Sequence, residues 1–437
     1  STFGAKNRWG TFPSVAAAWT FSEEPWVKEN VGWLSFGKFR ASWGRSGMHF
    51  SQNYLALGVM NAGTSSYLGE SYIEPVWYDG LYNDKLSWEE TDQYDFGLDL
   101  DFFNHRLGVT IDYYYRYTDK LLDRVSLPSV GINTGYQNQW QNAEAISNEG
   151  LELVVRYEIF RDRDLYWKVS VNGSRNWNCF EKSYTGKDLS NRIIGKPLNG
   201  IYALQTDGFV DYQEEVPVYY NQLGVKIPLS AEWMEAYFYK PGDYRFIDVN
   251  GDRKIGSDDR VYCGSALPEL SGGVVSEFQW KNIDVNLSMS FQLGRHMINY
   301  VQLRPLSSLG NIYYPTVVMD LRKVSFWEQP GDKVDFPKWQ YDWDIYLWGG
   351  IYYSAYQVEQ VNWLKIKTLT IGYTLPEAWM RWCGLGELRL FASGENLFTW
   401  TNYSGLDPEV VDIRTGIDEG LAYPMARKWT LGLTLKF

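Results

Sequence analysis

The segment Lys-Trp-Thr-Leu-Gly-Leu-Thr-Leu-Lys-Phe at 428–437 decides the fold class. Its apolar side chains alternate one by one with Lys, Thr or Gly, and it closes on Phe437. A strict period of two is typical of a β-strand that turns one face to apolar surroundings and the other to water or polar groups. We therefore predict a strand over 427–437, and the same periodicity dominates the rest of the chain.

The alternation elsewhere is longer than a soluble protein needs. Between 106 and 118, for example, Leu107, Val109 and Ile111 alternate with Gly, Thr and Asp. A sandwich strand usually has about 5–6 residues, whereas a strand that crosses a bilayer at a tilt needs about 9–11. The length favours the membrane, and the apolar side chains are predicted to face lipid. Eleven such strands are predicted, at 8–20, 36–46, 92–103, 106–118, 149–160, 164–177, 270–281, 283–294, 361–373, 386–396 and 427–437.

The connections between these strands alternate strictly between short and long. Outer-membrane barrels have short periplasmic turns and long extracellular loops. The predicted fold is therefore all-β, a transmembrane antiparallel β-barrel in which 178–269 and 295–360 are long extracellular loop regions. The short connections are 21–35, 104–105, 161–163, 282 and 374–385, and the long ones are 47–91, 119–148, 178–269, 295–360 and 397–426.

Composition restricts the function classes. Of the 437 residues 17% are aromatic, and the formal net charge of −12 argues against a nucleic-acid partner. No run of about 18 apolar residues occurs, which excludes a transmembrane helix but not a β-barrel. The few His and Cys residues lack metal-ligand spacing and no nucleophile motif is present, so we expect no enzymatic activity.

Tryptophan concentrates at the ends of the predicted strands. An indole combines an apolar ring with a polar N–H, which suits the interface between membrane and water. Girdles at both interfaces would place the residues in this way, and ordinary core packing is the alternative. The residues are Trp9, Trp19, Trp43, Trp140, Trp167, Trp177, Trp280, Trp363 and Trp429.

Short motifs occur in a fixed order along the chain: RWGTFPS at 8–14, FRASWG at 39–44, NEGLE at 148–152, GKP at 195–197, TDG at 206–208, DYRFID at 243–248, GYTLP at 372–376, GENLF at 394–398 and DPE at 407–409. In type and order they resemble SusC/RagA-type TonB-dependent outer-membrane transporters, in the C-terminal half of the barrel. The final strand also resembles the signal by which such barrels are assembled, and its matching residues are Thr430, Gly432, Leu435 and Phe437.

The resemblance implies a location and a set of partners. Transporters of this kind close about 22 strands into a barrel, so eleven would be half of it. We expect residues 1–437 to be the C-terminal part of the β-barrel domain, with the N-terminal extension, the plug and the earlier strands absent from this chain. A half barrel has open edges that lipid cannot satisfy, so another portion must close it.

The function implied is TonB-driven import of oligosaccharides or peptides across the outer membrane of a Gram-negative bacterium of the Bacteroidetes type. The implied partners are the missing plug and barrel portion of the same transporter, a SusD-like lipoprotein lid, TonB acting through the missing portion, and a glycan or peptide substrate. The alternatives are a passive outer-membrane channel or adhesin barrel, and a soluble β-rich carbohydrate-binding protein.

One loop has the spacing of a calcium site. Counting from Asp248, oxygen donors stand at positions 1, 3, 5 and 12, and the Lys254 carbonyl is at position 7, which suits a hard cation such as Ca²⁺. Arg253 departs from the pattern, because position 6 is normally Gly. The alternative is a turn whose carboxylates bind their own backbone. The candidate ligands are Asp248, Asn250, Asp252, Lys254 and Asp259.

The segment 339–356 is dense in aromatic residues and lies in a predicted extracellular loop. Exposed rings could stack on sugars or hold peptide side chains. The alternative is that they pack against neighbouring loops or a lid protein. The candidate substrate-binding residues are Trp339, Tyr341, Trp343 and Trp348.

Overall fold

A computed structural model describes residues 7–49, 59–67, 70–78, 83–126, 138–189, 192–231, 234–301, 325–334, 336–338, 354–382 and 386–436. Strands dominate this part of the chain. Among the described residues, no helix is long and apolar enough to cross a bilayer. The chain forms two compact units: Ser1–Ile159 with Lys168–Leu198, and Phe160–Trp167 with Asn199–Phe437.

The first unit is built mainly from long strands. Its strands are β1 Ser14–Trp19, β2 Leu34–Met48, β3 Val59–Tyr67, β4 Glu70–Tyr78, β5 Glu89–Phe102, β6 Leu107–Ser126, β7 Asn138–Arg161 and β8 Leu165–Lys182, with helix α1 at Pro25–Asn30. The long strands follow the order β1-β2-β5-β6-β7-β8, and β3 and β4 form a separate hairpin. The described pairs from β1 to β7 are antiparallel. Sequential antiparallel neighbours are what the short predicted turns require.

One face of these strands is continuously apolar. Phe39 on β2 stands opposite Leu98 on β5, which stands opposite Ile111 on β6 and then Leu153 on β7. Phe39 and Leu153 are exposed, and Ile111 is part-exposed and outside every buried core cluster. A large exposed apolar face of this kind needs a non-aqueous surrounding. The predicted outward direction of Ile111 agrees with this placement.

The second unit repeats the arrangement. Its long strands are β18 Leu270–Trp280, β19 Ile283–Asn299, β20 Val358–Thr374, β21 Glu387–Thr401 and β23 Lys428–Lys436, with helix α2 at Glu377–Trp382. They pair in the order β18-β19-β20-β21-β23, all antiparallel. The short strands are β9 Gly200–Leu204, β10 Thr206–Phe209, β11 Val218–Tyr220, β12 Lys226–Pro228, β13 Ser230–Ala231, β14 Met234–Phe238, β15 Tyr244–Phe246, β16 Lys254–Ile255, β17 Arg260–Ser265 and β22 Ile417–Asp418.

All eleven predicted strands are present, and the all-β antiparallel class is confirmed. The boundaries differ most at β6 and β7, because 119–126 and 138–148 were predicted as loop and are strand. Two bulges near Leu121 absorb the irregular spacing, so the pairing of β6 with β7 continues to Ser126. The first strand begins at Ser14 instead of residue 8, directly after Pro13, which has no N–H for a ladder.

The tryptophans at strand ends differ in their exposure. Trp9, Trp19, Trp177, Trp280 and Trp429 are exposed, as an interfacial girdle would require, whereas Trp43, Trp140 and Trp167 are half-buried. Trp363 is buried beneath the long connections, in a cluster that includes Met297, Val361, Tyr403 and Val411. For Trp363 the girdle interpretation is wrong, since a folded-back loop covers this part of β20.

Candidate functional site

The polar face of the first unit carries ion pairs that cross a strand. Arg40 donates to Asp99 and to Asp112, each at 2.8 Å. In register, Arg40 faces Gly97, and Gly97 faces Asp112. A Cβ on Gly97 would stand 2.5 Å from Arg40 Cζ and 2.6 Å from Asp112 Oδ1. The missing side chain therefore lets the guanidinium reach across β5.

The second unit uses the same device. Arg389 on β21 donates from Nε to Asp284 on β19 at 2.9 Å, across Gly372 on β20. Thr370 and Ser393 share a hydrogen bond of 2.8 Å along the same face. On the other face, Ile283 stands opposite Tyr373, which stands opposite Leu390 and then Leu433, and the last three side chains are exposed. Each unit thus has a polar, internally braced face opposite an apolar one. Strands with two such faces suit a barrel with lipid outside and polar groups inside.

Three carboxylates of the predicted calcium loop converge. Ligand oxygens of Asp248, Asp252 and Asp259 lie within 4.8 Å of one another, and Asp259 is buried. Two oxygens on one Ca²⁺ cannot be more than about 4.6–5.2 Å apart, because each bond is about 2.3–2.6 Å. The spacing therefore fits a hard cation.

Backbone amides hold these carboxylates in place. Asp248 accepts from the N–H groups of Gly251 at 2.7 Å and Arg253 at 3.0 Å. Asp259 accepts from the N–H groups of Val249 at 2.8 Å, Asn250 at 3.3 Å and Gly256 at 2.8 Å. A carboxylate has about four acceptor positions, so these bonds leave about two positions on Asp248 and one on Asp259 for a cation. The hydrogen bonds within the turn therefore leave the loop able to bind a cation.

Arg253 adopts the conformation that position 6 requires. Its φ is +74°, in the left-handed region that normally favours Gly. Its guanidinium lies over the ring of Tyr219, 5.1 Å from the centroid. This contact supports the unusual backbone, since a cation over an aromatic face is attracted to the ring.

The three long connections that contribute to the second unit meet in one core. Ile298 donates its N–H to the Gly416 carbonyl at 2.8 Å, and Leu204 forms a parallel bridge with Ser354. These contacts join 178–269, 295–360 and 397–426, so the connections emerge from the same ends of their strands. The buried core contains Leu204, Val210, Val216, Leu229, Tyr239, Tyr244, Phe246, Ile255, Tyr300 and Phe336, and we call this assembly the loop body.

A buried arginine joins the loop body to the strands. Arg295 on β19 is 1% exposed and donates to the carbonyls of Ala266 at 2.8 Å, Pro408 at 3.2 Å and Val411 at 3.0 Å. Burial lowers the pKa of the guanidinium to about 10, which still leaves it charged at neutral pH. The residue lies beyond the predicted membrane crossing at 283–294. Its three acceptors come from two different connections.

The DPE motif has a structural role that the sequence did not reveal. Lys365 on β20 is buried, and its Nζ lies 3.1 Å from Asp407 and 2.6 Å from Glu409. Lys367 donates to the other oxygen of Glu409. The motif therefore ties the connection 397–426 to β20. The pairing spans about forty residues of chain, so no local pattern could have predicted it.

A second charged cluster lies in the first unit, outside the predicted crossings. Arg192 donates to Asp123 at 2.8 Å and to Glu144. Burial and the neighbouring Asp123 raise the pKa of Glu144 to about 7. Two carboxylates thus share one guanidinium.

The remaining predicted residues have different positions. Trp339, Tyr341, Trp343 and Trp348 lie outside the described residues, as does Phe437. The other candidate assembly residues, Thr430, Gly432 and Leu435, lie on β23. Gly432 faces the Phe391 ring, which a Cβ would meet at 2.3 Å.

Long antiparallel strands with one exposed apolar face and one braced polar face define a membrane β-barrel protein. The family described as TonB dependent receptor-like, β-barrel matches residues 1–297, and the chain belongs to that family. Membership implies an outer-membrane location.

Two relatives show how much of a receptor the chain covers. The TonB-dependent receptor SusC of Bacteroides thetaiotaomicron is 30% identical, matched over the whole chain and 41% of its own length. A TonB-dependent receptor of Formosa agariphila is 28% identical, over the whole chain and 43% of its own length. The chain thus spans less than half the length of these relatives.

A solved structure, the RagAB peptide transporter, superimposes with a TM-score of 0.72 and 23% identity. The superposition covers the whole chain and 44% of that structure, and at this identity it supports the fold alone. The recognised resemblance and the fold class are both confirmed.

Proposed function

We propose that the chain is part of a TonB-dependent outer-membrane importer of oligosaccharides or peptides. The observation that carries this proposal is the 30% sequence identity to the TonB-dependent receptor SusC, which extends over the whole of this chain and 41% of SusC. The two-faced strands support it, since an importer needs polar groups on the inner face of its wall and apolar groups against lipid. The plug, the remaining strands and the contact with TonB would come from a portion outside this chain.

A SusD-like surface lipoprotein is the proposed partner. The loop body supports this assignment because three long connections share one core and are fixed to the strands by Arg295 and Lys365. Irregular segments on a rigid scaffold are where recognition usually lies. We assign Trp339, Tyr341, Trp343 and Trp348 to the substrate, where their rings would stack on sugars or grip peptide side chains.

The acidic loop is proposed to bind Ca²⁺. Asp248, Asn250, Asp252 and Asp259 would supply side-chain oxygens, and Lys254 its carbonyl. The ion would neutralise carboxylates that otherwise repel one another within 4.8 Å, and so order the loop body. Thr430, Gly432 and Leu435 on β23, together with Phe437, are proposed as the barrel-assembly signal.

Uptake in living cells tests the function. A strain that lacks the full-length transporter would be complemented with the wild-type gene and given fluorescent oligosaccharides and fluorescent peptides, with and without functional TonB. We expect one substrate class to accumulate only when both the transporter and TonB are present. Uptake that persists without TonB would favour a passive channel. Recovery of the protein in the soluble fraction, without detergent, would refute the membrane assignment.

A further inference from the structure

A buried lysine faces a buried aspartate across two segments of the second unit. Lys365 on β20 is 2% exposed, and Asp407 in the connection 397–426 is 7% exposed. The Lys365 Nζ lies 3.2 Å from Oδ1 and 3.1 Å from Oδ2 of Asp407. Because the nitrogen is almost equidistant from the two oxygens, the Asp407 Cγ between them is about 3.0–3.6 Å away. Groups that an enzyme holds ready for reaction are about 3–3.5 Å apart, so the amine and the carboxyl carbon are in position to combine.

Glu409 is placed to move protons between these two groups. Its Oε2 accepts from the Lys365 Nζ at 2.6 Å, and its Oε1 accepts from Lys367. Burial raises the pKa of Glu409, but the hydrogen bonds from the two lysines outweigh burial and lower the pKa below its ordinary value. The ionised carboxylate can therefore take a proton from the Lys365 ammonium, which a lysine must lose before it becomes a nucleophile.

Backbone amides hold both carboxyl oxygens of Asp407. The N–H of Glu409 donates to Oδ1 at 3.1 Å, and the N–H of Met425 donates to Oδ2 at 3.2 Å. When an amine adds to a carboxyl carbon, negative charge collects on the carboxyl oxygens, and fixed N–H donors stabilise that charge. The site thus supplies a nucleophile, an electrophilic carbon, a base and oxyanion donors.

The surroundings of this site are largely apolar. A cavity of about 290 Å³ is lined by Lys365 and Asp407, and the apolar part of its wall is formed by Phe398, Leu406, Pro408, Pro424 and Met425. Exclusion of bulk water disfavours hydrolysis of an amide formed beside this wall. The cavity also has room for the one water molecule that a condensation releases.

We propose that Lys365 and Asp407 form an intramolecular isopeptide bond, with Glu409 as the proton carrier. Glu409 takes a proton from the Lys365 ammonium, and the neutral amine attacks the Asp407 Cγ to form the N–C bond. Glu409 passes both protons lost by the nitrogen to the departing carboxyl oxygen, the C–O bond breaks, and water leaves. The ammonium and the carboxylate together contain the atoms of one amide and one water, so no cofactor, oxidant or outside proton is needed. The bond fixes the connection 397–426 to β20 covalently.

Peptide masses test the bond directly. The full-length transporter would be purified from native outer membranes in detergent, unfolded and digested with trypsin, which cuts after a lysine only when its amine is free. We expect the peptides 339–367 and 390–414 to be recovered joined, lighter than their sum by the mass of one water. Recovery of the peptide 339–365, cut after Lys365, together with unjoined 390–414 would overturn the proposal, since the contact would then be an ion pair only.

Two conservative variants separate the bond from the ion pair. Lys365→Arg keeps the positive charge beside Asp407, but a guanidinium stays protonated and should give no joined peptides. Glu409→Gln keeps a hydrogen-bond acceptor without a proton carrier, so joined peptides should appear at least about tenfold more slowly in pulse-labelled cells. The heat-induced shift on gels checks that each variant is folded. Joined peptides that form at the wild-type rate in Glu409→Gln would overturn the role of Glu409.

An exposed ion pair in the same molecule is the matched control. Lys436 Nζ lies 2.8 Å from Glu387 Oε2, but the two side chains are 64% and 38% exposed, so bulk water reaches them. We expect no joined peptides from Lys436 and Glu387. Joined peptides from this pair as well as from Lys365 and Asp407 would mean that the condensation takes place during handling, and would also overturn the proposal.

Discussion

Arginine substitutions at two adjacent positions of β6 distinguish the lipid face from the polar face. Ile111 lies between Leu98 and Leu153 in the apolar row, and its neighbour Thr110 stands opposite Asp99 on the polar face. We expect Ile111→Arg to destabilise the barrel and Thr110→Arg to be tolerated. The two variants add the same side chain one residue apart on the same strand, so they have the same net charge. A difference in their stability therefore reports the face of the strand on which the arginine stands.

The magnitude follows from the depth of Ile111. It is the fifth residue of β6, so at about 3.3 Å per residue and a tilt of about 40° it lies about 10–13 Å from the start of the strand. In an apolar band about 25 Å tall, that is close to the midplane, where an arginine costs about 2–4 kcal/mol. An arginine at Thr110 gains about 0.2–1 kcal/mol from Asp99 across the pair. The difference corresponds to a factor of roughly 30 to 1,000 or more in the folding equilibrium.

Folding into vesicles measures this difference. The full-length transporter and both variants would be unfolded by urea from the same lipid vesicles, with the heat-induced shift on gels as the folded-state signal. Outer-membrane abundance in cells should follow the same order. Equal stability of Ile111→Arg and Thr110→Arg would refute the assignment of the apolar face to lipid.

Three further changes test the acidic loop, the loop body and the charged cluster around Glu144. Asp248→Ala should abolish the slowing of hydrogen exchange that added Ca²⁺ produces at 248–259, whereas Asp258→Ala, outside the ligand set, should preserve it. Arg295→Met should weaken the loop body by about 2–4 kcal/mol, because three buried carbonyls lose their donor, and proteolysis should then cut it faster; Arg414→Met, with an exposed guanidinium, should have almost no effect. Glu144 has a pKa raised from 4.5 to about 7, so its contribution of about 1–3 kcal/mol is complete below pH 4.5 and is lost as the pH rises through 7. Hydrogen exchange around it should accelerate between pH 5 and pH 8, and Glu144→Gln, which stays neutral, should abolish that dependence.

The strand periodicity was readable from the sequence because the cause is local. Side chains alternate between faces at every residue of a strand, so Leu107, Val109 and Ile111 report their common face without knowledge of any neighbour. The number of residues over which the alternation continues also gives the length of the strand, and this length distinguishes a membrane strand from a sandwich strand. The acidic loop was readable for a similar reason, since Asp248, Asp252 and Asp259 lie within a single turn-rich segment.

Contacts between distant segments were decided only by the tertiary structure. Lys365 meets Asp407, Arg295 meets the Val411 carbonyl and Trp363 is covered because long connections fold back onto β19 and β20. Which residues meet in these contacts depends on the register between strands and on bulges. One inserted residue changes the register, and neither register nor bulges produce a periodic pattern in the sequence. Gly97 shows the same limit. Its lack of a side chain has meaning only when β2 and β6 are placed on either side of it, so that a charge on one can reach its partner on the other.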